Sequence, residues 1–265
     1  RVGFNGTGKL VLQDGGKAST DALLSIAENV GSVGTLVIGG EAGSAATTAG
    51  VIESAQGISF GAGDATLVLN HTSENYAFDH VLTGTGGLIR QLAGVTDMTA
   101  DSATFSGQLD VLGGTLKANA DLSGLAAFVG AGGTLAGSGV LDSVSVAAGG
   151  VLAPGNSPGT LTVQNDLTLA AGSIFDVEID GTGNDRVLVE DGDVDIAAGA
   201  ILRLTPSLGT ELGHEYTIIA LGGDSEGEVT RAGQGFTVDE HRLLLDSFVD
   251  YSSEDVTVRF EAVSA

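Results

Sequence analysis

The chain contains no cysteine and no tryptophan. The first absence excludes a disulfide framework, a thiolate nucleophile and a Cys-ligated zinc centre, and it suits passage through an oxidising compartment. Proline occupies only 3 positions, which excludes collagen and proline-rich linkers. Basic residues number 10 against 34 acidic ones, a formal charge of −24. A surface of that sign repels phosphate backbones and anionic lipid heads, so no nucleic-acid partner is expected. No apolar run reaches the roughly 18 residues that a membrane-spanning helix needs. The 9 Phe and 3 Tyr are too few for the aromatic girdles of a transmembrane barrel. The chain opens on Arg1 without a leader peptide, so a mature piece or an excised fragment is expected.

What is present points to a folded protein. Glycine fills 43 of 265 positions, apolar residues make up 42% and charged residues 17%, and the mean hydropathy is +0.28. A disordered acidic chain would be less apolar. A short phrase recurs, a small residue followed by Thr or Lys and then Leu. It stands at Gly8-Lys9-Leu10, Gly34-Thr35-Leu36, Ala65-Thr66-Leu67, Gly114-Thr115-Leu116, Gly133-Thr134-Leu135 and Gly159-Thr160-Leu161. The steps are 26, 31, 49, 19 and 26 residues, the 49 reading as two turns with one phrase degraded. Such a degenerate period is the signature of a parallel β-solenoid. Short aliphatic runs such as Thr35 to Ile38, Thr66 to Leu69 and Ile174 to Ile179 are bounded by turn residues and read as strands. Thr20 to Asn29 alone has apolar residues at helical spacing, between flanks that read as strands and turns.

The expected fold is therefore all-β, a right-handed parallel β-helix with a C-terminal hairpin-rich cap. Each coil buries its inward Val, Leu and Ile only when another coil stacks on it. About 11 to 13 coils at roughly 4.8 Å each would make a rod on the order of 50–60 Å long. From about Ser173 onward acidic residues and longer strands take over. Residues 1–171 are read as the β-helix body and 172–265 as a cap that continues the solenoid. The alternation of Val256 to Ala262 suggests a strand, with His241 to Asp246 as its hairpin partner across a Ser247–Asp255 turn. A cap of this kind protects the unpaired edge of a solenoid end.

Phe105-Ser106-Gly107 is followed by Gly113-Gly114-Thr115-Leu116-Lys117, and then by Gly133 to Gly139, Val151 to Leu161 and Asn184 to Val189. In this series the stretch from Phe105 to Ala265 resembles the C-terminal part of bacterial autotransporter passenger domains, the pertactin-like β-helices with an autochaperone region. The first two runs look like the passenger-associated transport repeat of type V secretion, and the rest follow in the family's order. Residues 1–104 resemble the generic passenger body. The resemblance implies export to the bacterial cell surface or outer membrane, or release from it, through a C-terminal outer-membrane β-barrel of the same precursor. It also implies that the C-terminal segment templates folding. No protease or other globular effector region is recognisable near the N-terminus, so the family's adhesins are the nearer guides to function.

Several motifs approach the patterns of catalytic or ligand-binding sites. Gly155-Asn156-Ser157-Pro158-Gly159 matches a nucleophile elbow, but Pro158 removes the N–H needed for an oxyanion hole, and a strand follows instead of a helix. A β-helix corner is expected there. Gly3 to Leu10 approaches a phosphate-binding loop, but Leu10 replaces the magnesium-binding hydroxyl. Asp180 to Leu188 resembles a calcium-binding β-roll nonapeptide in a single copy, and Asp191 to Asp195 begins like an EF-hand loop without its later ligands. Asp180, Asp185, Asp191 and Asp193 are thus the candidate cation ligands beside an expectation of ordinary acidic turns. His71, His80, His214 and His241 lack zinc spacing. Asn70-His71-Thr72 fits a glycosylation sequon. No cofactor and no catalytic residue is assigned.

The segment from Asn70 to Leu82 gathers His71, Glu74, Tyr76, Phe78 and His80 in a Gly/Ala-rich region. Aromatic residues among polar neighbours mark contact surfaces, and a local core patch is the competing reading. The expected function is that of a non-enzymatic adhesin. Its partners would be host-cell or extracellular-matrix molecules, or another copy of the chain. The alternatives are a stalk for an effector elsewhere in the precursor and a β-helical polysaccharide-degrading enzyme. Ten basic residues on so acidic a chain argue against acidic polysaccharide substrates.

Overall fold

The computed structural model describes residues 1–223, 227–239 and 245–263. Among them there is no helix; the chain is a parallel β-helix. Each coil contributes short strands to three faces. On the first face the inward column runs Leu10, Leu36, Leu67, Ile89, Leu109, Ala127, Val144, Leu167, Val194 and Val229, one residue per coil in parallel register. The second face carries Ile26, Phe60, Gly84 and Phe105 in the same way. The third carries Tyr76, Thr96, Leu116, Leu135, Leu152, Phe175, Leu202 and Val238. The inward residues form one continuous apolar core from Val2 to Phe260, the stacking that lets each coil bury its neighbour's inner side.

The recurrent phrase divides among the three faces. Its copies at Leu10, Leu36 and Leu67 are neighbours on the first face, and those at Leu116 and Leu135 are neighbours on the third. Leu161 lies on the second, where it pairs with Val187. The 49-residue step is therefore a change of face rather than two turns with one phrase lost. Among the described residues the first face has ten rungs, against the 11 to 13 coils expected. Coils differ in length, from 17 residues between Ala127 and Val144 to 35 between Val194 and Val229, and the long ones consume chain without adding height.

The segment with helical spacing is a strand, Leu24–Ile26, with Leu24 and Ile26 buried and Leu23 exposed. Its pairing with Ile58–Phe60 overrides local spacing. Ladders pass through residue 171 without a break, as Leu152 pairs with Phe175 and Leu161 with Val187. The C-terminal end closes with antiparallel strands. Asp255–Ala262 lies between Glu215–Leu221 and Leu245–Tyr251. The hairpin is thus shifted from the expected register, its turn at residues 252–254 closed by Ser252 Oγ donating to Asp255 Oδ1 at 2.6 Å. Residues 241–244 of the expected partner strand lie outside the described residues.

Acidic corners tie one coil to the next. Asp101 Oδ1 accepts Asp121 N–H at 2.9 Å, Asp166 Oδ1 accepts Asp193 N–H at 3.0 Å and Asp193 Oδ1 accepts Glu228 N–H at 2.9 Å. These bonds satisfy corner backbone groups that the ladders leave over. Part of the −24 charge is therefore structural.

Candidate functional site

The Asn70–Leu82 segment begins at the end of the Asp64–Asn70 strand and includes the short Tyr76–Phe78 strand. Asn70 is buried, and its Nδ2 donates to the carbonyls of Glu41 (3.0 Å) and Ser44 (3.2 Å). The sequon asparagine is thus an internal anchor for the Gly39–Gly50 loop. His71 is wholly buried. Its Nε2 lies 2.9 Å from Thr96 Oγ1, which donates onward to Gln91 Oε1 at 2.8 Å. With the threonine proton spent on Gln91, His71 must be the donor to Thr96, which fixes the Nε2–H tautomer. Nδ1 is buried without a hydrogen-bond partner. Burial pushes the imidazole below its usual range, and the Ser73 backbone opposes this.

The structure corrects the contact-surface expectation for two residues. His71 and Phe78 face the core and offer nothing to a partner. Glu74 is exposed, while Tyr76 and His80 are half-buried. Tyr76 heads the inward column of the third face, 5.0 Å from the His71 ring. Burial, and then the charge of Asp79, push its phenol up to about 12. His80 packs edge-on against Phe78 at 5.6 Å and donates Nε2–H to the Ile52 carbonyl at 3.1 Å. Two-residue alternation through Tyr76-Ala77-Phe78 was the signal that these rings point inward.

One measurable consequence follows from His71. A base whose folded pKa is depressed binds fewer protons folded than unfolded. Its contribution to stability is therefore complete above about 6.5, the ordinary histidine value, and is lost as pH falls below it. His71→Gln keeps a donor for Thr96 and removes the titration. The melting temperature of the wild type is expected to fall more steeply between pH 7 and pH 5 than that of the variant. Parallel profiles would refute this.

Beside this segment the third face is interrupted. Lys17–Thr20 and Val51–Ser54 form a separate two-stranded parallel sheet, and the nine-stranded sheet begins only at Tyr76–Phe78. A cleft of about 430 Å³ lies along the interruption, lined by Ser19, Asp21, Glu53, Ser54, Asp79 and His80 among others. Glu53 is held below the usual carboxylate range by its hydrogen bond from Lys17. Sequence reasoning missed Ser19, Asp21 and Glu53, because no motif marks an absent pairing.

A second cleft, of about 600 Å³, lies over the third face at the Gly155–Gly159 corner and includes Lys117, Asn156, Ser157, Asp176, Glu178 and Asp185. Ser157 sits at φ 65° and donates its hydroxyl to Glu178. Among the described residues that line the cleft there is no histidine, so none of them offers Ser157 a base of the elbow type. Asp185 is buried and clasps the corner: Oδ1 accepts Gly159 N–H at 2.9 Å and Oδ2 accepts Glu178 N–H at 3.1 Å. Burial raises its carboxyl pKa, the two N–H donors oppose that, and the charges of Glu178 and Asp176 add to it. Gly155 is required at this corner, because it has φ 88° and a Cβ there would stand 2.1 Å from Asp185 Oδ1. Gly155→Ala is expected to lower stability by roughly 2 kcal/mol or more, read as a lower urea midpoint, whereas Ser157→Ala should move it little.

The four candidate cation ligands do not come together. Asp180 accepts Ser207 Oγ at 2.6 Å, and Asp185 and Asp193 serve backbone N–H groups. Asp191 is exposed. Among the described residues no group of three or more His, Asp or Glu side chains has metal-binding geometry. In the loop that approaches a phosphate-binding motif, Lys9 Nζ is engaged by Glu41 at 2.7 Å, and no helix follows.

No family model matches the chain. It is 34% identical over 175 residues to the uncharacterized lipoprotein YdeK of Escherichia coli K12, a match covering 63% of this chain and 12% of that protein. It is 34% identical over 113 residues to the uncharacterized protein YuaQ of the same strain, covering 42% and 8%. It is 26% identical over 196 residues to an extracellular serine protease of Serratia marcescens, covering 70% and 18%. The chain thus spans less than a fifth of each of these relatives. A crystal structure of a hyper-glycosylated TibA fragment aligns at 15% identity over 88% of each chain with a TM-score of 0.24, a likeness too slight to argue from.

Proposed function

We propose that this chain is part of the β-helical passenger of an exported bacterial surface protein, and that it acts by contact rather than by catalysis. The observation that carries the reading is the stack of coils on one continuous core, ending in an antiparallel hairpin. Such a rod can present a long surface from few residues per coil. The relatives support an exported setting, since one is described as a lipoprotein and another as an extracellular enzyme. In this reading the rod binds host-cell or matrix molecules, or other copies of itself, and the C-terminal coils template folding after passage through an outer-membrane barrel. The corner cleft with Asp176 and Glu178 is assigned no catalytic role, because Asp185 is committed to the backbone and Glu178 to Ser157.

A stalk role is the second reading. It is favoured by the small share of each relative that the chain spans. The deciding experiment applies the purified, labelled chain to epithelial cells and immobilised matrix glycoproteins, with light scattering for self-association. Saturable cell or matrix binding, or concentration-dependent self-association, supports the contact reading. A folded chain that does neither favours the stalk.

A further inference from the structure

We infer that the interruption of the third face between Val51–Ser54 and Tyr76–Phe78 is a strand-accepting site for an extended peptide carrying lysine or arginine at alternate positions. The inference goes beyond the passenger reading and does not depend on it.

The backbone carries the argument. Val51 and Ala55 turn their N–H groups to the Lys17–Thr20 strand, bonding Gly16 O at 2.9 Å and Thr20 O at 3.1 Å. Strand alternation therefore turns the peptide groups of Ile52 and the N–H of Ser54 to the opposite edge, the Ser54 carbonyl being taken by Gly57 N–H at 3.3 Å. On the far side, Thr99 N–H bonds Phe78 O at 3.2 Å, so Phe78 faces the Val95–Met98 strand and Ala77 faces the interruption. Two strand edges thus look toward one another without pairing into a common sheet. Elsewhere on this face every coil from Tyr76–Phe78 to Thr237–Asp239 is bonded to the next. At the interruption the His80 imidazole supplies the donor that a strand N–H would have given to Ile52 O. A side chain holding a ladder carbonyl is a replaceable partner, and an incoming backbone N–H makes the same bond.

The side chains choose the peptide. Asp21, Glu53 and Asp79 line the cleft, and Lys17 is the base at its edge, already engaged by Glu53. Asp79 is largely in solvent. Ser19 adds a hydroxyl group to the lining, whereas those of Thr20 and Ser54 are spent on the Ala22 and Gly57 backbone. An added strand gains main-chain hydrogen bonds for affinity and alternate side-chain contacts for selectivity. Glu53 is already paired with Lys17, so Asp21 and Asp79 select the basic side chains, and the chain's overall charge of −24 speeds their approach.

The test uses the full chain and a fluorescent, end-capped (Thr-Lys)4 peptide, with (Thr-Glu)4 and a scrambled Gly/Lys-rich peptide of equal charge as comparators. Saturable anisotropy binding of (Thr-Lys)4 is expected, with at least tenfold weaker binding of both comparators. It should be accompanied by amide-exchange protection at Ile52, Ser54 and Ala77. Asp21→Asn/Glu53→Gln/Asp79→Asn should weaken binding at least tenfold. Ala77→Pro removes the N–H that faces the interruption and leaves the Phe78 bond to Thr99 in place. It should abolish binding with an unchanged far-ultraviolet spectrum and melting temperature. Should Ala77→Pro disturb the fold, the exchange map of the wild type decides alone. Equal binding of the scrambled peptide, or protection confined to other edges such as Leu245–Tyr251, would overturn the proposal. So would self-association of the chain through this edge without peptide binding.

Discussion

Removal of the terminal hairpin, residues 245–265, is expected to leave a chain that aggregates and refolds poorly. The Asp255–Ala262 strand places Val256, Val258 and Phe260 in the core, all fully buried. At about 1.5–3 kcal/mol per side chain, their burial amounts to roughly 5–9 kcal/mol, against a typical domain stability of about 5–15 kcal/mol. Tyr251 adds a second attachment. Its hydroxyl accepts Phe236 N–H at 2.8 Å, its ring stacks on Phe236 at 6.5 Å, and Arg231 lies over it at 4.5 Å. Without the hairpin, Tyr216 loses its ring contact with Phe260 and the Glu215–Leu221 strand becomes an edge. Exposed parallel edges template further pairing. Static light scattering during dilution from urea, with the recovered soluble fraction, reads the effect. Phe260→Ala alone should cost about 3–5 kcal/mol. Truncated chain that refolds with the yield and urea midpoint of the full chain would show that the hairpin neither caps nor templates.

Gly34→Val is expected to be as damaging as a core deletion, although it adds only apolar atoms. A Cβ at Gly34 would stand 2.4 Å from Ala27 N and 2.5 Å from Val2 O. Both are backbone atoms that cannot step aside, and Ile26 Cγ2 at 2.8 Å closes the third direction. The cost should be on the order of 3–5 kcal/mol, beyond ordinary overpacking. The next coil supplies the contrast. Ala65 pairs directly with Gly34 and tolerates its methyl group in a buried setting. Ala65→Gly should cost only about 1 kcal/mol. Urea unfolding of the two variants side by side tests this, and a Gly34→Val midpoint near that of the wild type would refute it.

The Gly34–Ala65 contrast shows how far the repeat phrase could be read. Gly-Thr-Leu and its variants mark where a strand starts, and five of the six copies do fall in register with another copy. The phrase does not record which face it starts. Leu67 and Leu116 carry the same phrase and belong to different faces. Parallel register depends on coil length, and coil length depends on loops such as Gly39–Gly50, which carry no period of their own. The Asn70–Leu82 segment left a contact surface and a core patch as competing readings for a related reason. Its aromatic and polar residues were visible as a cluster, but the inward direction of His71 and Phe78 was set by pairing with Thr96 and Met98 from the next coil.

The sequence by itself determined the class of fold. Alternating aliphatic strands, glycine at corners, scarce aromatics and one recurring phrase are satisfied together only when coils stack on a shared core. It also determined the sign of the surface and the strand at the C-terminal end, since Val256 to Phe260 alternates locally. Tertiary structure alone decided which acids became corner clasps, as Asp185 and Asp193 did, and which histidine went inside. It also decided that the third face breaks after Val51–Ser54. The clasps and the buried histidine each depend on a hydrogen-bond partner some 25 to 35 residues away along the chain. Spacing within a single coil carries no information about such a partner.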